Sequence, residues 1–267
     1  PIRLEGGPLD FTAVTDHSEY LSAVREAARP DSPLHSLPFS QNLFGTDAAA
    51  MQRAFTAFVE GSRAKALPPE YGDPAVAGRG WAEIQQAAAR HNRPGRFTTL
   101  IGYEFTSAPD GRNLHRNVIF QGSRVPGAPF ASTVSSDPED LWRTMDGWRA
   151  KGIEALAIPH NSNGSDGLMF DSVRRNGKPI DRVYAEMRAR NEPLVEISQI
   201  KGTSETHPSL STNDEWANFE IMEKYIGSDK DVTRFAGSYV RRALTDGILL
   251  RQTKGFNPFK FGFISSS

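Results

Sequence analysis

Residues 136–159 leave the chain little freedom of fold: a capped helix, a glycine stop and a short apolar strand follow one another with no linker between them. Ser136 or Asp137 caps the helix, Pro138 stands in its first turn, and Glu139 and Asp140 favour its positive end. Leu141, Met145 and Trp148 form its apolar stripe and Gly152 ends it. Residues 153–158 then read as an apolar strand of the kind covered on both faces. The rest of the chain repeats the theme. Residues 10–14 read as a short buried strand, and 98–105, 117–120, 194–197 and 261–264 as four more. Thr46 or Asp47 can cap a helix carrying Met51, Phe55, Phe58 and Val59 on one face. A later helix spaces Trp81, Ile84 and Ala88, and residues 232–245 read as another. Residues 29–45 and 65–80, broken by Pro, Ser, Asn and Gly, read as irregular. Strands alternating with helices point to an α/β barrel or a doubly wound sheet, and away from a sandwich.

Composition narrows the function classes. Lys plus Arg is 31 and Asp plus Glu 32 in 267 residues, a net charge of −1, so nothing argues for nucleic acid or an anionic membrane surface. Hydrophobic residues at 38% suffice for a packed core, and no apolar run approaches the roughly 18 residues of a membrane span. With no cysteine, disulfides, thiolate metal sites and a Cys nucleophile are excluded. A G-x-S-x-G elbow, a G-x-G-x-x-G fingerprint and a phosphate loop are all missing. The start at Pro1-Ile2-Arg3 and the stop at Phe261-Gly262-Phe263-Ile264-Ser265-Ser266-Ser267 read as cut ends of a larger protein, incomplete on both sides.

Metal-type side chains fall at strand ends, where α/β barrels build their sites. Asp16 and His17 end the first strand, Glu104 the second, and His160 the apolar strand at Pro159. His115 stands just before the strand at 117–120, and a tight return across residues 108–111 would bring it to the end of the sheet that holds Glu104. Imidazoles with one carboxylate suit Zn, Mn or Fe. Set against this, a single His at a strand end is more often a hydrogen-bonded core or surface group. His35 and His91 read as solvated or capping residues, and the roles of His207, Glu196 and Glu205 stay open.

The ordered motifs carry a resemblance. Pro8-Leu9-Asp10-Phe11-Thr12-Ala13-Val14-Thr15-Asp16-His17-Ser18-Glu19-Tyr20 resembles the PHP (polymerase and histidinol phosphatase) superfamily, and more narrowly its branch known as domain of unknown function 3604. Gly102-Tyr103-Glu104-Phe105-Thr106, His115-Arg116-Asn117-Val118-Ile119-Phe120 and Ile158-Pro159-His160-Asn161-Ser162-Asn163 match in order. So do Glu192-Pro193-Leu194-Val195-Glu196-Ile197 through Lys201-Gly202-Thr203-Ser204-Glu205, and Asn257-Pro258-Phe259-Lys260-Phe261-Gly262-Phe263-Ile264. The resemblance implies a distorted (β/α)7 barrel, one domain over residues 1–267 with long loop insertions, and two to three divalent metal ions. It implies a phosphoesterase using a metal-bridging hydroxide, in a periplasmic or secreted setting. By position, His17, Glu104, His115 and His160 resemble metal ligands, with Glu104 bridging two ions, and Asp16 resembles a residue that orients His17. The family's H-x-H and D-x-H pairs have no counterpart here, so those ligands are expected outside this sequence. Arg112 and Arg116 flank His115, and Asn161 and Asn163 follow His160. These four and Lys201 are candidate binders of substrate phosphate, against a plainer reading as surface ion pairs and Asx-turns. The expected partner is a small phosphate ester. The alternatives are a metal-dependent hydrolase of another ester or an amide, and a metal-free binding protein that keeps the scaffold.

Overall fold

A computed structural model describes residues 9–41, 43–44, 47–64 and 66–265. Along the chain run β1 (Phe11–Val14), α1 (Ala23–Ala27), α2 (Pro38–Gln41), α3 (Ala48–Ala64), α4 (Pro74–His91), β2 (Thr98–Phe105), β3 (Arg116–Phe120), α5 (Pro138–Arg149), β4 (Ala155–Pro159), α6 (Arg182–Asn191), β5 (Leu194–Glu196), β6 (Ser198–Gln199), β7 (Gly202–Thr203), α7 (Val240–Lys254) and β8 (Gly262–Ile264). Packing groups them into two compact units, one of Pro1–Glu104 with Ile119–Pro129 and one of Phe105–Val118 with Phe130–Ser267.

The strand pairing overturns the expected (β/α)7 barrel. Among the described residues, hydrogen bonds join β1-β2-β3-β4 into one sheet, β5 pairs only with β8, and β6 only with β7, so no closed ring forms. The physical reason is strand length. β4 and β5 are neighbours, but β5 has three residues, and its Leu194, Val195 and Glu196 are aligned in parallel with Gly262, Phe263 and Ile264 of β8. β6 and β7 have two residues each and fold into an antiparallel hairpin. The arrangement is mixed α/β, with a four-stranded sheet and two small ones.

In the first unit β1 runs parallel to β2, from Phe11 opposite Thr98 to Val14 opposite Ile101. The strand is where the sequence puts it but is not buried: Phe11 and Val14 are exposed. Asp47 caps α3 by accepting from the Ala49 and Ala50 N–H groups, whereas Thr46 lies outside the described residues. The stripe expected on α3 is only partly covered, since Met51 and Phe55 are exposed and Phe58 packs on Tyr20 and Tyr71. α4 starts earlier than its apolar spacing suggests, because Asp73 caps it and Pro74 supplies a ready-made first turn. Ala23, Ala27, Leu34, Leu67, Tyr71 and Val76 form this unit's core.

In the second unit Asp137 caps α5, its carboxylate accepting from the Glu139 N–H at 3.0 Å, and Gly152 follows in the left-handed conformation (φ 73). Leu114, Met169, Phe170, Val195, Val240, Ala243 and Phe259 form the core. The helix expected over residues 232–245 begins only at Val240. The N–H groups of Thr233 and Arg234 are taken by the Asp166 carboxylate at 2.7 Å each, and the Gly237 carbonyl accepts from Phe170. Gly237 also sits so close to Gly167 that a Cβ would lie 2.4 Å from its carbonyl oxygen, at a φ of +81. Helical backbone cannot meet those contacts. No described helix is long and apolar enough to cross a membrane.

Candidate metal centre

β1 delivers His17 three residues past Val14, its last strand residue. His17 pairs with Glu104 as an isolated parallel bridge, and the Ser18 N–H and hydroxyl both donate to the Glu104 carbonyl, at 2.9 and 2.8 Å. Register alone therefore sets the imidazole beside the carboxylate, Nδ1 lying 3.3 Å from Oε2. Asp16 holds the same ladder through its carbonyl, which accepts from the Glu104 N–H at 2.8 Å. Its side chain is exposed and makes no hydrogen bond to His17.

The return expected across residues 108–111 exists. A short 3-10 turn at Pro109–Gly111 reverses the chain, and the Leu114 N–H closes it on the Ser107 carbonyl at 2.8 Å. Asn113 then ties this return to the end of β4, its Nδ2 donating to the carbonyls of His160 and Asn161 at 2.9 and 3.1 Å. The His160 N–H donates to the His115 carbonyl, and the two imidazoles meet edge to face with centroids 5.7 Å apart. Glu104, His115 and His160 each offer a ligand atom, all within 4.8 Å of one another. Two imidazoles and one carboxylate are the donor set of catalytic zinc sites that keep a position open, and they suit Mn and Fe as well. The residues present fit a divalent transition ion.

The candidate phosphate binders separate. Arg116 is buried, its Nε donating to Glu192 at 2.8 Å and its Nη1 to the Leu114 carbonyl at 2.5 Å. Its guanidinium is committed to the fold. Arg112 donates to Asp110 at 2.5 Å. Asn163 is held at both amide atoms, its Nδ2 donating to the Lys201 carbonyl and its Oδ1 accepting from Ser204. Lys201 is exposed on the β6–β7 turn. Asn161 differs: 1% exposed and in the left-handed conformation (φ 50), it has neither amide atom hydrogen-bonded. Buried amides are almost always paired, so the open Nδ2 donor and Oδ1 acceptor beside His160 set this residue apart. His35 and His91 are not in this ligand group: His35 is bonded to the Ala27 carbonyl and His91 is exposed at the end of α4. His207 stacks on Phe235 and pairs with Glu223 at 2.9 Å.

Two residues that sequence reasoning passed over shape the site. Asn113 has no signal beyond its place two residues before His115. Asp166 accepts from Tyr225, Thr233 and Arg234, and clamps the loop after His160 to residues 225–234. Burial works to raise its pKa, but the backbone donors of Thr233 and Arg234 outweigh it and hold the carboxyl below the usual range.

A family model described as "Protein of unknown function (DUF3604)" matches residues 2–267. Neither the curated proteins nor the solved structures contain a match to this chain.

Proposed function

The chain belongs to the DUF3604 family, and from that footing we propose that it is a metal-dependent hydrolase acting on phosphate esters. One observation carries the reading: Glu104, His115 and His160 bring their ligand atoms within 4.8 Å of one another at the ends of separate strands. The position of Glu104 supports a bridging role, since its carboxylate meets His17 on one side and belongs to the His115 and His160 group on the other. Two or three divalent ions bound there would lower the pKa of a coordinated water towards neutrality and polarise the ester's oxygens. The protein's own residues do the rest. His17, Glu104, His115 and His160 would hold the ions, the Asn113 bonds hold the two imidazole-bearing segments together, and the open amide of Asn161 would bind an oxygen of the substrate.

The test is hydrolysis by the full-length protein, supplied with Mn²⁺ or Zn²⁺, of matched p-nitrophenyl phosphate, p-nitrophenyl acetate and p-nitroanilide substrates. The phosphate ester is expected to be cleaved fastest, and a chelator to stop it. Faster turnover of the carboxylic ester or the anilide would move the substrate class; no turnover of any of them would overturn the hydrolase reading.

A further inference from the structure

Cleaving an ester requires a proton for the departing oxygen. His17, Glu104, His115 and His160 are committed to metal in the reading above, so the proton has to come from another group. We propose that Glu196 is that group, the general acid of the site; the inference rests on the hydrolase reading.

Glu196 ends β5, and strand alternation decides which way it faces. Val195 is 0% exposed and packs in the core with Val240 and Phe259, so Glu196, one residue on, turns to the opposite face. There it meets the segment that follows β4. The Asn161 N–H, next in sequence to His160, donates to Glu196 Oε1 at 3.4 Å, and Gln199 Nε2 donates to the same oxygen at 2.9 Å. Among the described residues these two donors leave Oε2 without a hydrogen bond. The residue is 9% exposed, and among the described residues no Lys or Arg pairs with it. Carboxylates that serve the fold here look different: Glu192 is held by two guanidiniums and an indole, and Asp166 by four donors. Glu196 has one oxygen anchored and one open, and the anchored oxygen accepts from the backbone of Asn161, whose side-chain amide is unpaired. It also lies outside the Glu104, His115 and His160 ligand group.

The proposed step balances. A water oxygen bonds to phosphorus as the bond from phosphorus to the leaving oxygen breaks. The Glu196 carboxyl gives its proton to that oxygen, which departs as an alcohol; the attacking water loses one proton to solvent, and solvent returns one to the carboxylate.

A general acid matters in proportion to how poor the leaving group is. The experiment therefore compares an alkyl phosphate with p-nitrophenyl phosphate, in the metal-loaded full-length protein and in Glu196→Gln. The alkyl ester is expected to lose about 10²- to 10⁴-fold in kcat/KM, and the p-nitrophenyl ester roughly tenfold or less, because p-nitrophenolate needs little protonation to leave. Glu196→Asp, with its carboxyl one methylene further back, should fall between parent and Gln variant. If the Gln variant is insoluble, the same split between the two esters is read from the Asp variant. Equal loss on both esters, or loss of bound metal, makes Glu196 a structural or ligand residue and overturns this inference alone. A parent that cleaves neither phosphate ester overturns the phosphoesterase reading, and this inference with it.

Discussion

Replacing Glu104 by Gln should lower turnover by about a hundredfold or more while the fold survives. Losing a residue that merely supports a metal ligand typically costs 10- to 100-fold, and a carboxylate that meets imidazoles on both sides should exceed that. Gln keeps the shape and one carbonyl oxygen but removes the charge proposed to hold the cations together. The β1–β2 ladder runs through the Glu104 backbone and is untouched by the change. Steady-state kinetics with a thermal melt of the same sample separates the two effects. Near-normal turnover would mean that the site lies elsewhere.

The largest stability effect should come from Glu192, which is 0% exposed at the end of α6. Its carboxylate accepts from Arg116 Nε at 2.8 Å, Trp142 Nε1 at 2.9 Å and Arg188 Nε at 3.0 Å, and both arginines are themselves buried. Arg188 further lies over the rings of Trp142, Phe170, Phe259 and Phe261, 5.0 to 5.8 Å from their centroids. Burial opposes ionisation of Glu192, but Arg116 and Arg188 outweigh it and hold its pKa below the ordinary Glu range. Glu192→Gln leaves two buried cations facing each other with no anion, at a cost of about 3–5 kcal/mol. At roughly 2–4 °C per kcal/mol for a chain of this size, the melting midpoint should drop by about 10 °C. The sign with pH follows from the depressed pKa. The carboxylate's contribution is complete above the unfolded Glu value of about 4.3 and fades as pH falls through the lower folded value, so the gap between parent and variant should narrow in acid. A midpoint shift under about 2 °C at neutral pH would show that the triad adds little to stability.

These two carboxylates mark what a single sequence reveals. The place of Glu104 at a strand end was legible because a strand and its end are local features: residues 98–105 form one strand and leave a carboxylate next to its last residue. His160 follows the β4 run in the same way, and the short return at 109–111 explains His115. Glu192 was invisible as a structural charge because its partner Arg116 is 76 residues away, and nothing in either neighbourhood predicts the pairing. The same limit made Arg116 and Asn163 look like ligand binders: their charge and polarity could be read, but not the Glu192 and Ser204 partners that occupy them. The start of α7 was misplaced because Tyr239 gives no side-chain cap and the residues before it are held by Asp166, across 67 residues. Barrel closure failed for a related reason. It depends on which short strands meet edge to edge, and the partner of β5 is β8, far along the chain.

Glu104, His115 and His160 are proposed to bind metal together, and elemental analysis tests this most directly. Full-length protein purified without chelator should carry bound transition metal. His160→Ala should lose it while keeping a cooperative melt, because the imidazole's ring partner is His115 and its backbone bonds remain. A parent that holds no metal, and takes up none from added Mn²⁺ or Zn²⁺, would contradict the account.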